Sequence, residues 1–380
     1  MRIKSLFLIV SVFLISNSAV SAVSIIPSPP TVDAKSYLLM DHDSQQLLVS
    51  QEIDMKLPPA SLTKIMTVYV AAYELAQGNI SLDDEAVISE KAWKMPGSRM
   101  FIEVNDKVTV RDLLRGIIIQ SGNDASVAIA EHVSGDEAIF AQLMNQHAKR
   151  LGMKNSHFTN ATGLPHDNHY TTARDVAILA SALIRDFPEI YAIHAEKQFS
   201  YNDIKQNNRN RLLWLDESVD GIKTGHTEEA GYCLVTSAMR ENMRLISVVF
   251  GSSDDNARTK ANQVLLNYGF RFFETTKIYS RNENIYTADI WKGQSDNIHL
   301  GLNKDLYVTI PRGQADKLDT VFEVPEFIIA PVEQGSNLGH MSLILDDKKI
   351  VDKPLIAIQT VTEGGFFKRI KDELHLMIVR

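Results

Sequence analysis

The chain of 380 residues contains one cysteine, Cys233, so no disulfide can form within it. It also lacks any block of like charge. Its 39 Lys and Arg and 47 Asp and Glu are interspersed and leave a formal net charge of -8. A nucleic-acid surface needs clustered Lys and Arg, so no nucleic-acid partner is expected. No H-E-x-x-H occurs among the 11 histidines, which removes the usual helical zinc-hydrolase pattern, and no metal or cofactor is expected. Internal repeats and low-complexity segments are missing too. The apolar run from Leu6 to Ile15 reaches only about half of the ~20 residues that a bilayer-spanning helix requires.

That short run has a different meaning. Arg2 and Lys4 precede it, and small residues ending in Ala19-Val20-Ser21-Ala22 follow. A basic start, a brief apolar core and a small-residue end make a secretory signal peptide, expected over 1–22 and cleaved near Ala22. The mature protein then works outside the cytoplasm, where an unpaired Cys233 is best accounted for as a buried, inert thiol.

The remaining length, with 44% hydrophobic residues, is enough for two cores. Strand-like runs at Ser36 to Asp41 and Gln46 to Ser50 predict a hairpin. Pro58-Pro59-Ala60-Ser61 opens a helix reaching about Gln77. Thr109 with Asp112, and Thr172 with Asp175, form T-x-x-D caps before further helices. Asp124 to Val133 and Asp136 to Leu151 are helical by apolar spacing. Strands return at Val219 to Thr224, Tyr232 to Met239 and Leu245 to Gly251, before an amphipathic helix from about Asp255 to Asn267. This order predicts an α+β catalytic domain, an antiparallel sheet with helices, over 28–275. Short strand-like runs at Leu306 to Ile310, Thr320 to Val324, Met341 to Leu345 and Leu355 to Val361 predict a small all-β domain over 276–363.

The last stretch, 364–380, reads as an amphipathic helix. Phe366, Phe367, Ile370, Leu374, Met377 and Ile378 recur at three- and four-residue steps. Lys368, Arg369, Lys371 and Arg380 offer cations to anionic lipid, tempered by Asp372 and Glu373. The stretch is too interrupted by charge to span a bilayer, so it is expected to lie on the surface of the inner membrane.

Three motifs carry the chemistry. Ser61-Leu62-Thr63-Lys64 is S-x-x-K, Ser121-Gly122-Asn123 is S-x-N, and Lys223-Thr224-Gly225 is K-T-G. Each is common alone, and Ser295-Asp296-Asn297 even supplies a literal S-D-N that falls after the K-T-G and reads as a loop. Their order and context give them weight. Serine is a poor nucleophile without a base in reach. Lys64 lies one helical turn from Ser61, and burial or a neighbouring cation such as Lys223 makes a lysine basic enough to serve. Ser121 is placed to relay a proton, and Asn123 to orient substrate or hold Lys64. Gly225 lets a peptide lie along the strand edge. Thr224 and Lys223 suit a terminal carboxylate, and the N–H groups of Ser61 and His226 suit an oxyanion hole.

At these motifs the sequence resembles the low-molecular-mass penicillin-binding proteins, specifically the D-alanyl-D-alanine carboxypeptidases. The resemblance extends to Pro59-Ala60-Ser61-Leu62-Thr63-Lys64, Ile119 to Ala125, Asp220 to Thr227 and Gly269 to Glu274. It implies a β-lactamase/transpeptidase-like catalytic fold, removal of the terminal D-alanine from peptidoglycan pentapeptide stems, and acylation by β-lactams. It also implies substrate contacts for Arg209 and Arg258. Some members carry histidine before the Gly-Leu pair of the loop covering the site. Here that place is Thr162, and His166 and His169 are expected to be exposed loop residues. A class A β-lactamase would need a glutamate for deacylation, and none lies between Asn155 and Thr172. A DD-endopeptidase acting on cross-links and an inactive peptidoglycan-binding module remain the alternatives.

Overall fold

The computed structural model describes residues 26–379. The signal peptide expected over 1–22 lies outside them. Alternating β-rich runs form a five-stranded antiparallel sheet from β1 (Ser36–Asp41), β2 (Leu47–Gln51), β3 (Val219–Thr227), β4 (Gly231–Arg240) and β5 (Met243–Ser252). Its order is β2-β1-β5-β4-β3, so β3, the K-T-G strand, is an edge. Successive side chains of a strand point to opposite faces. Accordingly Ile246 and Val248 enter the large core under the helices, while Leu245 and Val249 enter a second core on the other face.

The helices that fill the large core are α1 (Thr63–Ala76), α2 (Val110–Arg115), α3 (Asn123–Ser134), α4 (Glu137–Leu151) and α5 (Ala173–Asp186). The expected caps form. Thr109 Oγ1 accepts from Asp112 N at 3.1 Å and Thr172 Oγ1 from Asp175 N at 3.1 Å, each worth about 1 kcal/mol to its helix. Every residue of α1 from Thr63 to Ala72 is buried, which makes it the central helix. On the opposite face α6 (Asp255–Phe272) packs Leu265 and Leu266 against the sheet.

After α6 the chain enters strand Phe273–Tyr279, which pairs with Leu306–Pro311. The 275/276 boundary read from the sequence falls inside this strand. A six-stranded sheet follows, built around Asn337–Leu345 and Lys348–Ala357. The latter strand starts earlier than its apolar run, because Lys348 to Lys353 pair through their backbones while their charged side chains face water. Ser295-Asp296 lies in a bend before the strand Asn297–Gly301. The junction between the two parts is polar: Thr275 Oγ1 donates to Asp41 Oδ2 at 2.7 Å, and Ser44 Oγ lies 2.6 Å from Thr309 Oγ1.

The chain ends in α7 (Phe366–Val379). One face is docked on the β-rich part. Leu376 is 4% exposed, Lys292 N donates to Asp372 Oδ2 at 2.7 Å, and the His375 ring lies tilted against Trp291 with centroids 5.2 Å apart. The apolar stripe points outward instead: Phe367 is 86% exposed and Ile378 85%. Two expected lipid-facing cations are engaged within the protein, Lys368 with Asp296 and Asp372 and Arg369 with Glu363. No described helix is long and apolar enough to cross a membrane.

Candidate active site

The nucleophile segment is a tight 3-10 turn, Ala60–Leu62, leading into α1. Ala60 is left-handed at φ 46°, a conformation unfavourable for a residue with a side chain. Strand β3 presses against this turn at Gly225. A Cβ there would stand 3.2 Å from Pro59 O and 3.3 Å from both Ala60 Cβ and Leu62 Cγ. The missing side chain therefore makes room for the nucleophile turn, and not only for a peptide along the strand edge as the sequence reading had it.

Lys64 follows one turn after Ser61 and is 0% exposed. Its Nζ lies 3.1 Å from Ser61 Oγ, 2.7 Å from Asn123 Oδ1 and 2.6 Å from Thr162 O. Asn123 is oriented by its own Nδ2, which donates to Pro96 O at 2.6 Å. Asn123 Oδ1 and Thr162 O can only accept. A neutral lysine amine has two N–H groups and one lone pair. With both N–H groups so engaged, the lone pair is left for the Ser61 hydroxyl. Burial, then the Arg209 charge, lower Lys64 to about 7, against a smaller upward pull from Asp124.

Lys223 is also buried and is held well below its ordinary value, by burial first and then by Lys64, Arg209 and Arg258. Two buried ammonium groups disfavour each other's charge, and Arg209 disfavours both. Arg209 is thus a second cation acting on Lys64, one that the sequence reading did not name for that part. Lys223 Nζ donates to Thr224 O at 3.1 Å.

The second motif is delivered by an irregular helix. After α2 the chain widens into a π-helical turn, Gly116–Gln120, and stops at Ser121, left-handed at φ 68°. Widened turns of this kind often mark functional sites. The next residue but two, Asp124, anchors the facing loop, its carboxylate accepting from Met100 N at 3.0 Å and Phe101 N at 2.9 Å.

A cleft of about 580 Å³ opens over these groups, lined by Ser61, Ser121, Thr224, Gly225, His226, Arg209 and Arg258 among others. Arg209 Nε donates to Gln120 O at 2.9 Å, tying it to the segment before Ser121. Arg258 sits deeper. Its Nη1 donates to Gly225 O at 2.9 Å and Cys233 O at 3.1 Å, and its other side pairs with Asp255. With Arg209 and Arg258 against the paired Asp255, the cleft favours an anionic ligand. Cys233 is buried, and burial pushes its thiol up to about 11.

The covering loop contains the residue that sequence reading misjudged. His166 is exposed, but His169 is only 4% exposed. Its Nε2 lies 2.8 Å from Thr63 Oγ1 and its Nδ1 3.0 Å from Thr159 Oγ1. The ring thus ties the loop to the nucleophile helix, and burial lowers it to about 4. No local pattern signals this, because Thr63, the partner that joins the loop to the helix, lies 106 positions away in sequence.

A serine within reach of the lone pair of a buried lysine, beside a sheet edge and a cationic cleft, defines an active-serine peptidase of the penicillin-binding class. Residues 23–254 match the D-alanyl-D-alanine carboxypeptidase family, and residues 273–363 match the C-terminal domain of penicillin-binding protein 5. The chain belongs to the D-alanyl-D-alanine carboxypeptidase family. It is 44% identical to D-alanyl-D-alanine carboxypeptidase DacC of Escherichia coli (strain K12), over 95% of this chain and 92% of that protein. Among solved structures it is similar to penicillin binding protein 5 from Haemophilus influenzae, with TM-score 0.87 and 42% identity over 89% of this chain and 100% of that one. It is also similar to penicillin-binding protein D2 from Listeria monocytogenes in the ampicillin-bound form, with TM-score 0.59 and 28% identity over 64% of this chain and 100% of that one.

Proposed function

We propose that the protein removes the terminal D-alanine from peptidoglycan pentapeptide stems through an acyl-enzyme on Ser61, and that β-lactams acylate the same serine. The observation that carries this reading is the Lys64 amine, held by Asn123 Oδ1 and Thr162 O with its remaining valence toward Ser61 Oγ. Lys64 takes the Ser61 proton as Oγ attacks the peptide carbonyl. The N–H groups of Ser61 and His226 receive the oxyanion. Ser121 passes a proton to the departing D-alanine amine as the C–N bond breaks. Arg209, Thr224 and Lys223 receive the terminal carboxylate, and Arg258 shapes the strand beneath it through Gly225 O. Water then releases the shortened stem from Ser61. The ampicillin-bound relative and the family of named carboxypeptidases support both halves of the proposal. Intact-mass spectrometry after benzylpenicillin treatment is the test. One adduct is expected, absent from Ser61→Ala, and an adduct that survives the substitution would overturn the assignment.

The same reading places the mature protein in the periplasm. The basic-apolar-small pattern ending at Ala22 supports export. The outward stripe of α7 supports peripheral attachment to the outer face of the inner membrane. The proposed organisation is a signal peptide, the peptidase domain, a β-rich spacer and the anchoring helix.

A further inference from the structure

The K-T-G strand β3 packs against a short 3-10 turn, Ala192–Ala195, that carries a histidine unused in the chemistry above. His194 is 1% exposed. Its Nδ1 lies 2.9 Å from Ile222 O. A carbonyl only accepts, so Nδ1 bears the ring proton, and Nε2 of the neutral ring is a lone pair. Nε2 is buried and has no hydrogen-bond partner among the described residues, a rare condition for a buried polar atom. The ring is held in place, stacked on Tyr191 with centroids 5.4 Å apart, while Asn208 Nδ2 donates to His194 O at 3.3 Å.

Lys223 follows Ile222 directly on the strand, and its charge acts on the ring. Burial first, with Lys223 adding to it, keeps His194 down to about 4, against upward pulls from the Ile222 carbonyl and Asp220. The other charges bearing on Lys223 are Lys64, Arg209 and Arg258, all cationic. Asp220 is paired with Arg244. An ammonium has three N–H donors. Thr224 O takes one from Lys223, and the carboxylate of a bound substrate takes a second. The third requires an acceptor inside the fold.

We propose that His194 is a positioning residue for Lys223, its Nε2 lone pair receiving one N–H of the Lys223 ammonium when an anionic acyl donor occupies the cleft. The inference rests on the carboxypeptidase reading, in which Lys223 meets the substrate carboxylate. It makes anion binding favour the charged form of Lys223. Burial, and then the surrounding cations, disfavour that form in the empty cleft, and the carboxylate and His194 together stabilise it in the complex.

The test uses the full chain and two acyl donors, benzylpenicillin and its neutral methyl ester. In His194→Asn the amide N–H replaces Nδ1–H toward Ile222 O, and nothing replaces Nε2. Acylation by benzylpenicillin should fall roughly ten- to hundredfold, the range for losing a hydrogen bond to a charged group. Acylation by the ester should be nearly unchanged. The alkaline limb of the benzylpenicillin profile should move to lower pH, because an ammonium that loses an acceptor discharges sooner. His194→Gln, which carries an amide toward the Nε2 position, should recover part of the rate. Equal losses with both donors and an unmoved alkaline limb are the result of a merely structural histidine and would overturn the proposal. Should His194→Asn fail to fold, nitrogen-15 spectra of the wild-type acyl-enzyme decide instead. The Nε2 resonance should shift toward that of a hydrogen-bonded lone pair, and an unchanged signal would overturn the proposal. A wild type that forms no Ser61 adduct with either donor would remove the carboxypeptidase reading itself.

Discussion

Gly163 backs directly onto Ala60: a Cβ at Gly163 would stand 1.8 Å from Ala60 O and 2.8 Å from Thr63 Oγ1. The covering loop and the nucleophile turn are therefore in backbone contact, and the residue before Gly163 supplies the carbonyl that Lys64 binds. Gly163 also has φ +84°, so a side chain is disfavoured by strain as well as by space. Gly163→Ala should push Thr162 O away from Lys64 and lower the rate of penicillin acylation by about a hundredfold, the scale for a misplacement of about 1 Å. Gly78→Ala is the control. It shares a positive φ of +73° but meets nothing within 4 Å, so it should leave the acylation rate unchanged and lower stability by about 1 kcal/mol. Stopped-flow acylation and thermal melting of both variants make the comparison.

Lys64 should act as a base with an inflection near neutrality. With its amine at about 7, the acylation rate should rise with pH through that value, because only the deprotonated amine accepts the Ser61 proton. Arginine keeps the charge and does not deprotonate in proteins. Lys64→Arg should therefore abolish acylation at every pH between 5 and 9, by a factor of about a thousand or more, with circular dichroism unchanged. Near wild-type acylation in Lys64→Arg would refute the role of base.

Acid sensitivity should come from buried histidines before it comes from carboxylates. His42, His169 and His194 are each lowered from 6.5 to about 4, burial being the first cause in all three. Between those values the unfolded chain binds more protons than the folded one. Stability present above pH 6.5 is then lost as pH falls toward about 4. Melting temperature should decline across this window, and His169→Gln should flatten the decline. A flat profile down to pH 4 in the wild type would contradict the buried neutral state of these rings.

Much of this architecture was legible in the sequence because its signals are local. The caps at Thr109 and Thr172, the alternation in β5 and the spacing of Ser61 and Lys64 each arise within a few residues. What was not legible depends on partners far apart in the chain. His169 looked like a loop residue because Thr63, its partner, lies 106 positions away. Arg209 was not read as a cation acting on Lys64 because only the folded cleft brings the two together. The π-helical turn Gly116–Gln120 leaves no mark in the sequence, since apolar spacing does not separate π from α geometry. The ion pairs of Lys368 and Arg369 on α7 were missed for a related reason. Periodicity finds the apolar stripe but not the carboxylates Asp296 and Glu363 that hold Lys368 and Arg369.

That division of α7 into two faces sets the last prediction. Leu376, Asp372 and His375 fix the helix to the β-rich part, while Phe366, Phe367, Ile370, Leu374, Met377 and Ile378 are exposed. Full burial of one large apolar side chain contributes about 1.5–3 kcal/mol, so six half-buried ones give roughly 5–9 kcal/mol. The helix is already ordered by its docking, so little of this is offset by the entropy of forming it. With Lys368 and Arg369 engaged in ion pairs, Lys371 is the remaining described cation on α7. Binding should therefore depend more on the apolar face than on anionic lipid. Full-length protein should float with neutral phosphatidylcholine vesicles, and only modestly better when phosphatidylglycerol is added. Substituting Phe367 and Ile378 together with serine should release most of the protein to the soluble fraction while benzylpenicillin labelling of Ser61 persists. Flotation that requires anionic lipid, or that survives the double substitution, would show that the outward stripe is not the anchor.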